Sequence, residues 1–209
     1  MMNEIYNNLF LNILSIPNRI YNKLYVFWIS KKKNITIEDK LKINGKPIID
    51  IRQGCYLNIG RNVTLNSSNI GYHLNMYSGV KLFADRKNAK ISIGNNTRIH
   101  GSCVHAYNSI EIGNNCLIAA NCQIIDGNGH DASFSNIKNR IHTIGKSKPI
   151  TIMDNVWLAT NVIVLPGVTI GEGSIISANS VVINNIPSMV LAGGNPAKVI
   201  KRYVAKETN

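Results

Sequence analysis

Residues 150–182 read "ITIMDNVWLATNVIVLPGVTIGEGSIISANSVV", and their spacing decides the fold. Ile152, Leu158, Val164, Ile170, Ile176 and Val182 recur every six residues without a slip. Four residues after each stand Val156, Val162, Val168, Ser174, Ser180 and Ile186, all small or β-branched. An amphipathic helix would place apolar residues at spacings of three and four, and a half-buried strand would alternate by two. A strict six fits neither as one continuous element. It fits a short strand and a turn, repeated, with one large aliphatic and one small residue directed inward per unit. Ala159, Gly171 and Ser177 provide small side chains where the chain must turn. Three units close a triangular coil of roughly eighteen residues, and such coils stack at about the 4.8 Å strand spacing.

The same pattern runs back through "IGNNCLIAANCQ" from Ile112, "IGNNTRIHGSCV" from Ile93 and "IGRNVT" from Ile59. From Ile43 to Pro187 it predicts about seven coils and a height on the order of 34 Å at that spacing. The predicted class is an all-β solenoid of parallel coils. One coil buries little by itself, and stacking builds a continuous core.

The 209-residue chain is 44% hydrophobic, 16% charged and 7% aromatic. That composition excludes disorder and suits one domain with an appendage. The net charge of +12 is concentrated at the ends: residues 1–46 carry eight Lys or Arg against three acids. The tail from Ser188 adds Lys198, Lys201, Arg202 and Lys206 against Glu207. Basic ends suit an anionic partner. No helix-turn-helix, zinc-ligand or aromatic RNA-binding motif accompanies the charge, which argues against nucleic acid. Cys55, Cys103, Cys116 and Cys122 form no CxxC; Cys116 and Cys122, six apart at a repeat position, read as small buried thiols, which implies a reducing compartment.

Residues 1–42 differ from the rest. Ile5, Leu9, Leu11 and Leu14, then Ile20, Leu24, Phe27 and Trp28 fit two helices broken at Pro17. The apolar runs are too short to span a bilayer, and no signal-peptide pattern stands out. Two readings stay open: a segment resting on a membrane, with Tyr25, Phe27 and Trp28 inserted and Lys31–Lys33 at the headgroups, or a cap on the first coil or a neighbouring subunit.

The ladder breaks once, at "IIDGNGHDASFSNIKNRIHTIGKSKPI", residues 124–150. Ile152 follows Ile112 by forty residues, so one coil plus about twenty-two inserted residues separate them. An extruded loop over 130–150 walls in a cleft that flat solenoid faces lack. His130 stands where that loop begins, held to a rigid coil on one side. An imidazole there suits a general base, with Asp126, Asp131 or a backbone carbonyl as the acceptor fixing its tautomer; Asp126 could instead bind the acceptor substrate, and Asp131 could cap the loop. His142 could line the same cleft.

"VWLATNVIVLPGVTIGEGSIISANSVVINNIPSMVLAGGNPAKVIKR", Val156 to Arg202, resembles the hexapeptide-repeat acyltransferases, above all the bacterial sugar and polysaccharide O-acetyltransferases. The resemblance covers residues 93–202 well, 43–92 weakly, and not the first forty. It implies a left-handed parallel β-helix, a homotrimer with sites between neighbouring solenoids, and direct acetyl transfer from acetyl-CoA to a sugar hydroxyl in a ternary complex. No metal is required. It implies His130 as the base, and Trp157 as a wall at the thioester or acceptor. Along one edge, Thr160, Ala178, Ile183 and Asn184 would hold the pantetheine arm, with Lys198 and Lys201 at the CoA phosphates. This chain has "LATN" where the family often has "IGAN", and lacks the family's frequent lysine near Asn184. "GGNPAK", Gly193 to Lys198, would lead into a short C-terminal helix within the basic tail 188–209. The expected acceptor is a surface glycan or a lipid-linked precursor, in a cytoplasmic protein, peripheral at the inner membrane.

Three other readings remain. The nearest is acetyl transfer to serine or another small molecule, such as a free sugar. His100 and His105 have the H-x₄-H spacing of β-helix zinc lyases, with His73 as third ligand, although a residue inserted near His105 disturbs that register. The third is a solenoid that serves only as a scaffold.

Overall fold

The structure, a computed structural model, describes residues 20–203 apart from 133 and 136. The first expected helix, the Pro17 break, Lys206 and Glu207 lie outside the described residues. Each coil gives one strand to each of three parallel sheets, and the sheets form the faces of a triangular prism. The first sheet runs from Ile35–Ile37 to Thr169–Ile170, and the third from Ile48–Ile51 to Val181–Val182. The second starts at Lys42–Gly45 and passes through Arg98–His100, Leu117–Ile118, Trp157–Leu158 and Ile175–Ile176 to Val190–Gly194. Six complete coils result, with a seventh begun by the bridge of Ile186 to Ile170.

The inward positions are those the hexads mark. Ile152, Leu158, Val164, Ile170, Ile176 and Val182 are buried, as are Val156, Val162, Val168, Ser174, Ser180 and Ile186. Each large aliphatic contributes about 1.5–3 kcal/mol by leaving water. The two buried serines keep their hydroxyls bonded, Ser174 to the Pro187 carbonyl and Ser180 to the Ser177 carbonyl, both at 2.7 Å. Cys55, Cys116 and Cys122 fill the same small inner positions; all four cysteines are free, and burial pushes the Cys122 thiol up to about 11.

Turn chemistry explains the abundance of asparagine. Asn62, Asn96, Asn115, Asn121, Asn155, Asn161 and Asn179 adopt positive φ of 56–66°, a conformation asparagine tolerates better than other residues with a Cβ. Their amides stack from coil to coil: Asn62 donates to Asn96 at 3.0 Å, Asn96 to Asn115 at 3.1 Å and Asn115 to Asn155 at 3.3 Å.

Both ends depart from expectation. The ladder begins at Ile35, inside the segment expected to be helical to residue 42, because Ile37, Ile43 and Ile49 already keep the six-residue step. Helix remains over 20–30, with Ile29 buried against the core and the Asn22 amide donating to the Ile43 carbonyl at 2.8 Å. At the other end, residues 197–202 form a strand, where a helix was expected. Gly194, at φ 104°, reverses the chain, and Ala197–Arg202 pairs antiparallel with Val190–Gly194. The open edge of the second sheet supplies ladder partners, and β-branched Val199 and Ile200 favour a strand. Among the described residues, no helix is long and apolar enough to cross a membrane.

Candidate functional site

Two insertions leave the prism. The strand pairs Leu117 with Trp157 and Gln123 with Ile163 are forty residues apart, against eighteen for Trp157 with Ile175, which gives the twenty-two extra residues expected. The inward residues Leu65 and Leu82, on consecutive strands of the second and third sheets, are seventeen residues apart where a hexad needs six, so a second excursion of about eleven extra residues leaves between Ser67 and Lys81. The hexad reading missed it, since its degenerate apolar residues look like weak repeats; the stretched spacing between Leu65 and Ile99 was the available signal.

The first insertion leaves the prism edge between the third and first sheets, directly after Gln123–Ile125. Arg86 clamps it: Nη1 donates to the Gly145 carbonyl at 2.7 Å and Nη2 to the Asn128 carbonyl at 3.0 Å, with the guanidinium 3.8 Å above the Tyr107 ring. Gly145 must be glycine, because a Cβ there would run into the carbonyls of Asn128 and His130. The His130 side chain is exposed at the start of the loop. Asp131 N–H donates to the Thr143 hydroxyl at 2.8 Å, closing the loop on itself. His142 is exposed in the 3-10 turn Ile137–His142.

Asp126 has a different task from the one expected. It is fully buried, and its oxygens accept from Tyr107 N–H at 2.6 Å and Asn108 N–H at 2.8 Å. Burial raises its pKa against the pull of those amides. No hydrogen bond joins it to His130; the carboxylate ties the root of the loop to the neighbouring coil. Beside that root, on the third sheet, His105 stacks between Phe83 and Tyr107, with centroids 4.5 and 4.2 Å away. Its Nε2 lies 3.5 Å from Asp85 Oδ1. Burial holds His105 below its ordinary pKa despite Asp85. Nothing in the repeat pattern marked this cluster.

The remaining expected residues divide between two edges. Thr160 and Ala178 follow Trp157–Leu158 and Ile175–Ile176 at the edge between the second and third sheets. Ile183 and Asn184 follow Val181–Val182 at the edge between the third and first, on the side of the His130 loop. They therefore do not continue the track of Thr160 and Ala178 within one chain: twenty-four residues are four hexads, one edge beyond a full coil. Trp157, Lys198 and Lys201 all belong to the second sheet, the lysines on its last strand. Trp157 and Thr160 line a cavity of ≈ 510 Å³ with Tyr72, His73, Arg98 and His100. The second excursion roofs this cavity, held by Tyr77 N–H on Asn121 Oδ1 at 3.0 Å and by Met76 packed on Gly101. His100 lies on the second sheet and His105 on the third, so the H-x₄-H pair does not converge within the chain.

Residues 149–184 match the family model of the bacterial transferase hexapeptide (six repeats), and residues 90–125 that of the hexapeptide repeat of succinyl-transferase. WbbJ of Escherichia coli K12, named as a lipopolysaccharide biosynthesis O-acetyl transferase, is 36% identical over 166 residues, covering 73% of this chain and 78% of its own. The chain belongs to the hexapeptide-repeat transferase family. The prism is accordingly a left-handed parallel β-helix, the hand opposite to the usual parallel crossover. A Schizosaccharomyces pombe relative named as an acetyltransferase is 48% identical over 93 residues; this chain spans 43% of that relative's length. A hexapeptide-repeat acetyltransferase of Vibrio cholerae, solved in complex with acetyl coenzyme A, is 31% identical with a TM-score of 0.52, covering 58% of this chain and 64% of that one.

Proposed function

We propose that the protein transfers an acetyl group from acetyl-CoA to a hydroxyl of a surface glycan or its precursor, at sites shared between the subunits of a homotrimer. The observation that carries this reading is the division of the site residues between two edges. A threefold axis parallel to the solenoid leaves heights unchanged while bringing one edge against another. The loop bearing His130 leaves the coil of Leu117–Ile118, the level of Ala119 in the Trp157 cavity. A neighbour's His130 can thus face the Trp157–Thr160 edge, and its Ile183 and Asn184 can flank the track from the other side. The outward Leu117 and Trp157 of the second sheet, 42% and 45% exposed in one chain, favour burial in such an assembly.

The edge fits a pantetheine arm. Ala119, Ala120, Ala159, Thr160, Ser177 and Ala178 are small, so a slender arm can approach the backbone of the turns closely. Lys198 and Lys201 lie three strands above Trp157, about 14 Å at the strand spacing, and suit the phosphates at the far end. His130 removes the proton of the acceptor hydroxyl, the oxygen bonds to the acetyl carbon, and the carbon–sulfur bond breaks. The imidazolium returns the proton to the CoA thiolate. Phe83, His105, Tyr107 and Asp85, beside the loop, offer rings and a carboxylate to a sugar, which favours a glycan over serine. The E. coli relative named for lipopolysaccharide biosynthesis supports the same acceptor class.

His130→Ala should leave acetyl-CoA affinity intact in calorimetry and lower thiol release in the presence of a responsive glycan by about 10²–10⁴-fold. Mixing inactive His130→Ala and Trp157→Ala chains should restore part of the activity if sites are shared. Full activity of His130→Ala, or no acetyl-CoA binding by the folded wild type, overturns the reading.

The helix over 20–30 supports a peripheral membrane contact. Its outer face exposes Ile20, Leu24, Phe27 and Trp28, while Lys31 and Lys32 lie 5.0 and 4.4 Å from the rings of Phe27 and Trp28. Apolar side chains bordered by lysines complement an anionic lipid surface. Binding to phosphatidylglycerol vesicles should weaken sharply in a Phe27→Ser, Trp28→Ser variant; equal binding by that variant would refute the contact.

A further inference from the structure

The cavity beside Trp157 contains a histidine that the reaction proposed above does not use. His100 stacks on Tyr72 of the second excursion, with centroids 4.5 Å apart and planes at 14°. Its Nδ1 lies 3.2 Å from Asn66 Nδ2. The orientation of the Asn66 amide is set independently, since its Oδ1 accepts Ser68 N–H at 3.2 Å. Asn66 is buried and its Nδ2 can only donate, so Nδ1 of His100 must accept. The neutral ring therefore carries its proton on Nε2. Burial, with Arg98 and His73 adding to it, holds His100 below its ordinary pKa and so neutral at physiological pH. A ring fixed in this way is a hydrogen-bond donor, with no base left to offer.

The cavity's other polar groups tell which ligand would use it. Arg98, His73 and the Thr160 hydroxyl accompany His100, no carboxylate among the described residues lines the space, and the walls are Leu74, Leu117 and Trp157. Thr160 already gives its proton to the Ala120 carbonyl at 2.8 Å. An apolar chamber with fixed donors and no carboxylate suits an acyl carbonyl better than a sugar hydroxyl, which must also donate. Position agrees. Lys198 and Lys201 lie on the last strand of the second sheet, Thr160 and Ala178 lie between, and the cavity continues from Trp157 down to the strand of His100. An arm anchored by its phosphates at Lys198 and Lys201 would deliver its thioester end into this chamber.

We propose that the second excursion closes an acyl-end pocket in which Nε2–H of His100, its tautomer fixed by Asn66, donates a hydrogen bond to the thioester carbonyl of acetyl-CoA. The inference rests on the acetyl-CoA reading above. The same donor would meet the oxygen as negative charge develops on it during attack, the place where a fixed donor matters most.

Calorimetry with three ligands on the intact protein tests it: acetyl-CoA, its thioether analogue S-ethyl-CoA, which lacks the carbonyl, and CoA. Wild type should prefer acetyl-CoA over S-ethyl-CoA by about fivefold, the scale of one net hydrogen bond. His100→Phe, which retains the ring against Tyr72, should lose that preference while binding CoA as before. A measurement without substitution guards against misfolding. The infrared carbonyl stretch of ¹³C-labelled acetyl-CoA should move to lower frequency on binding wild type and move less with His100→Phe. Acetyl-CoA binding with equal affinity for S-ethyl-CoA, or a preference and carbonyl shift unchanged in His100→Phe, overturns this inference and leaves the transferase reading standing. Failure of wild type to bind any of the three overturns both.

Discussion

Arg86 is the side chain through which the His130 loop is held to the solenoid, so Arg86→Ala should loosen that loop without unfolding the coils. Two charged hydrogen bonds end, at 2.7 Å to Gly145 and 3.0 Å to Asn128, together with the stacking on Tyr107. Hydrogen bonds to charged groups contribute about 1.5–3 kcal/mol each when shielded, and a cation over an exposed ring about 0.5–1 kcal/mol. The Asn128 bond is exposed, and water replaces part of what is lost, so about 2–3 kcal/mol of local stability is a reasonable total. That corresponds to a roughly 30- to 150-fold higher opening equilibrium for the loop. Amide hydrogen exchange reads it directly: amides of residues 127–148 should exchange faster by that factor, with the inward strands unchanged. Arg86→Lys keeps the charge but cannot reach both carbonyls in one plane, and should fall in between. Unchanged exchange over 127–148 in Arg86→Ala would show that the loop is held otherwise, and the clamp would have to be abandoned.

The asparagine turns and the buried histidines give further expectations. Asn115, at φ 56°, should tolerate glycine better than alanine: Asn115→Ala should cost about 1–2 kcal/mol of left-handed backbone energy, lowering Tm by roughly 2–8 °C. Equal melting of the alanine and glycine variants would contradict this. His100 and His105 are both held below the ordinary value of 6.5 by burial. The unfolded chain then takes up protons that the folded chain refuses, so stability is complete above about pH 6.5 and falls as pH drops through it. Thermal melts from pH 8 to 5.5 should show this decline, and a flat Tm would refute it. Asp126, with its pKa raised, acts in the opposite direction at lower pH, where the folded chain binds the extra proton.

The prism was legible in the sequence because its cause is local and repeated. Each hexad needs one large and one small inward residue and a turn, and a period of six shows this wherever side chains are regular. The size of the His130 loop followed from the same count. The second excursion did not, because Met76 and Val80, although buried, keep no step of six. Asn66 and His100 meet as register partners on adjacent strands of the second sheet, and Tyr72 joins them only because that excursion folds back over it. The terminal strand was likewise hidden: Val199 and Ile200 become a strand because the unfinished edge of the second sheet offers them partners. Asp126 looked like a catalytic acceptor because it stands four residues before His130, whereas the amides of Tyr107 and Asn108 on an adjacent coil claim its carboxylate. The sequence by itself determined the coils, the place of His130 and the family. Tertiary structure decided which edge each residue occupies and what it touches, because contacts between coils and across excursions join residues whose separations share no period.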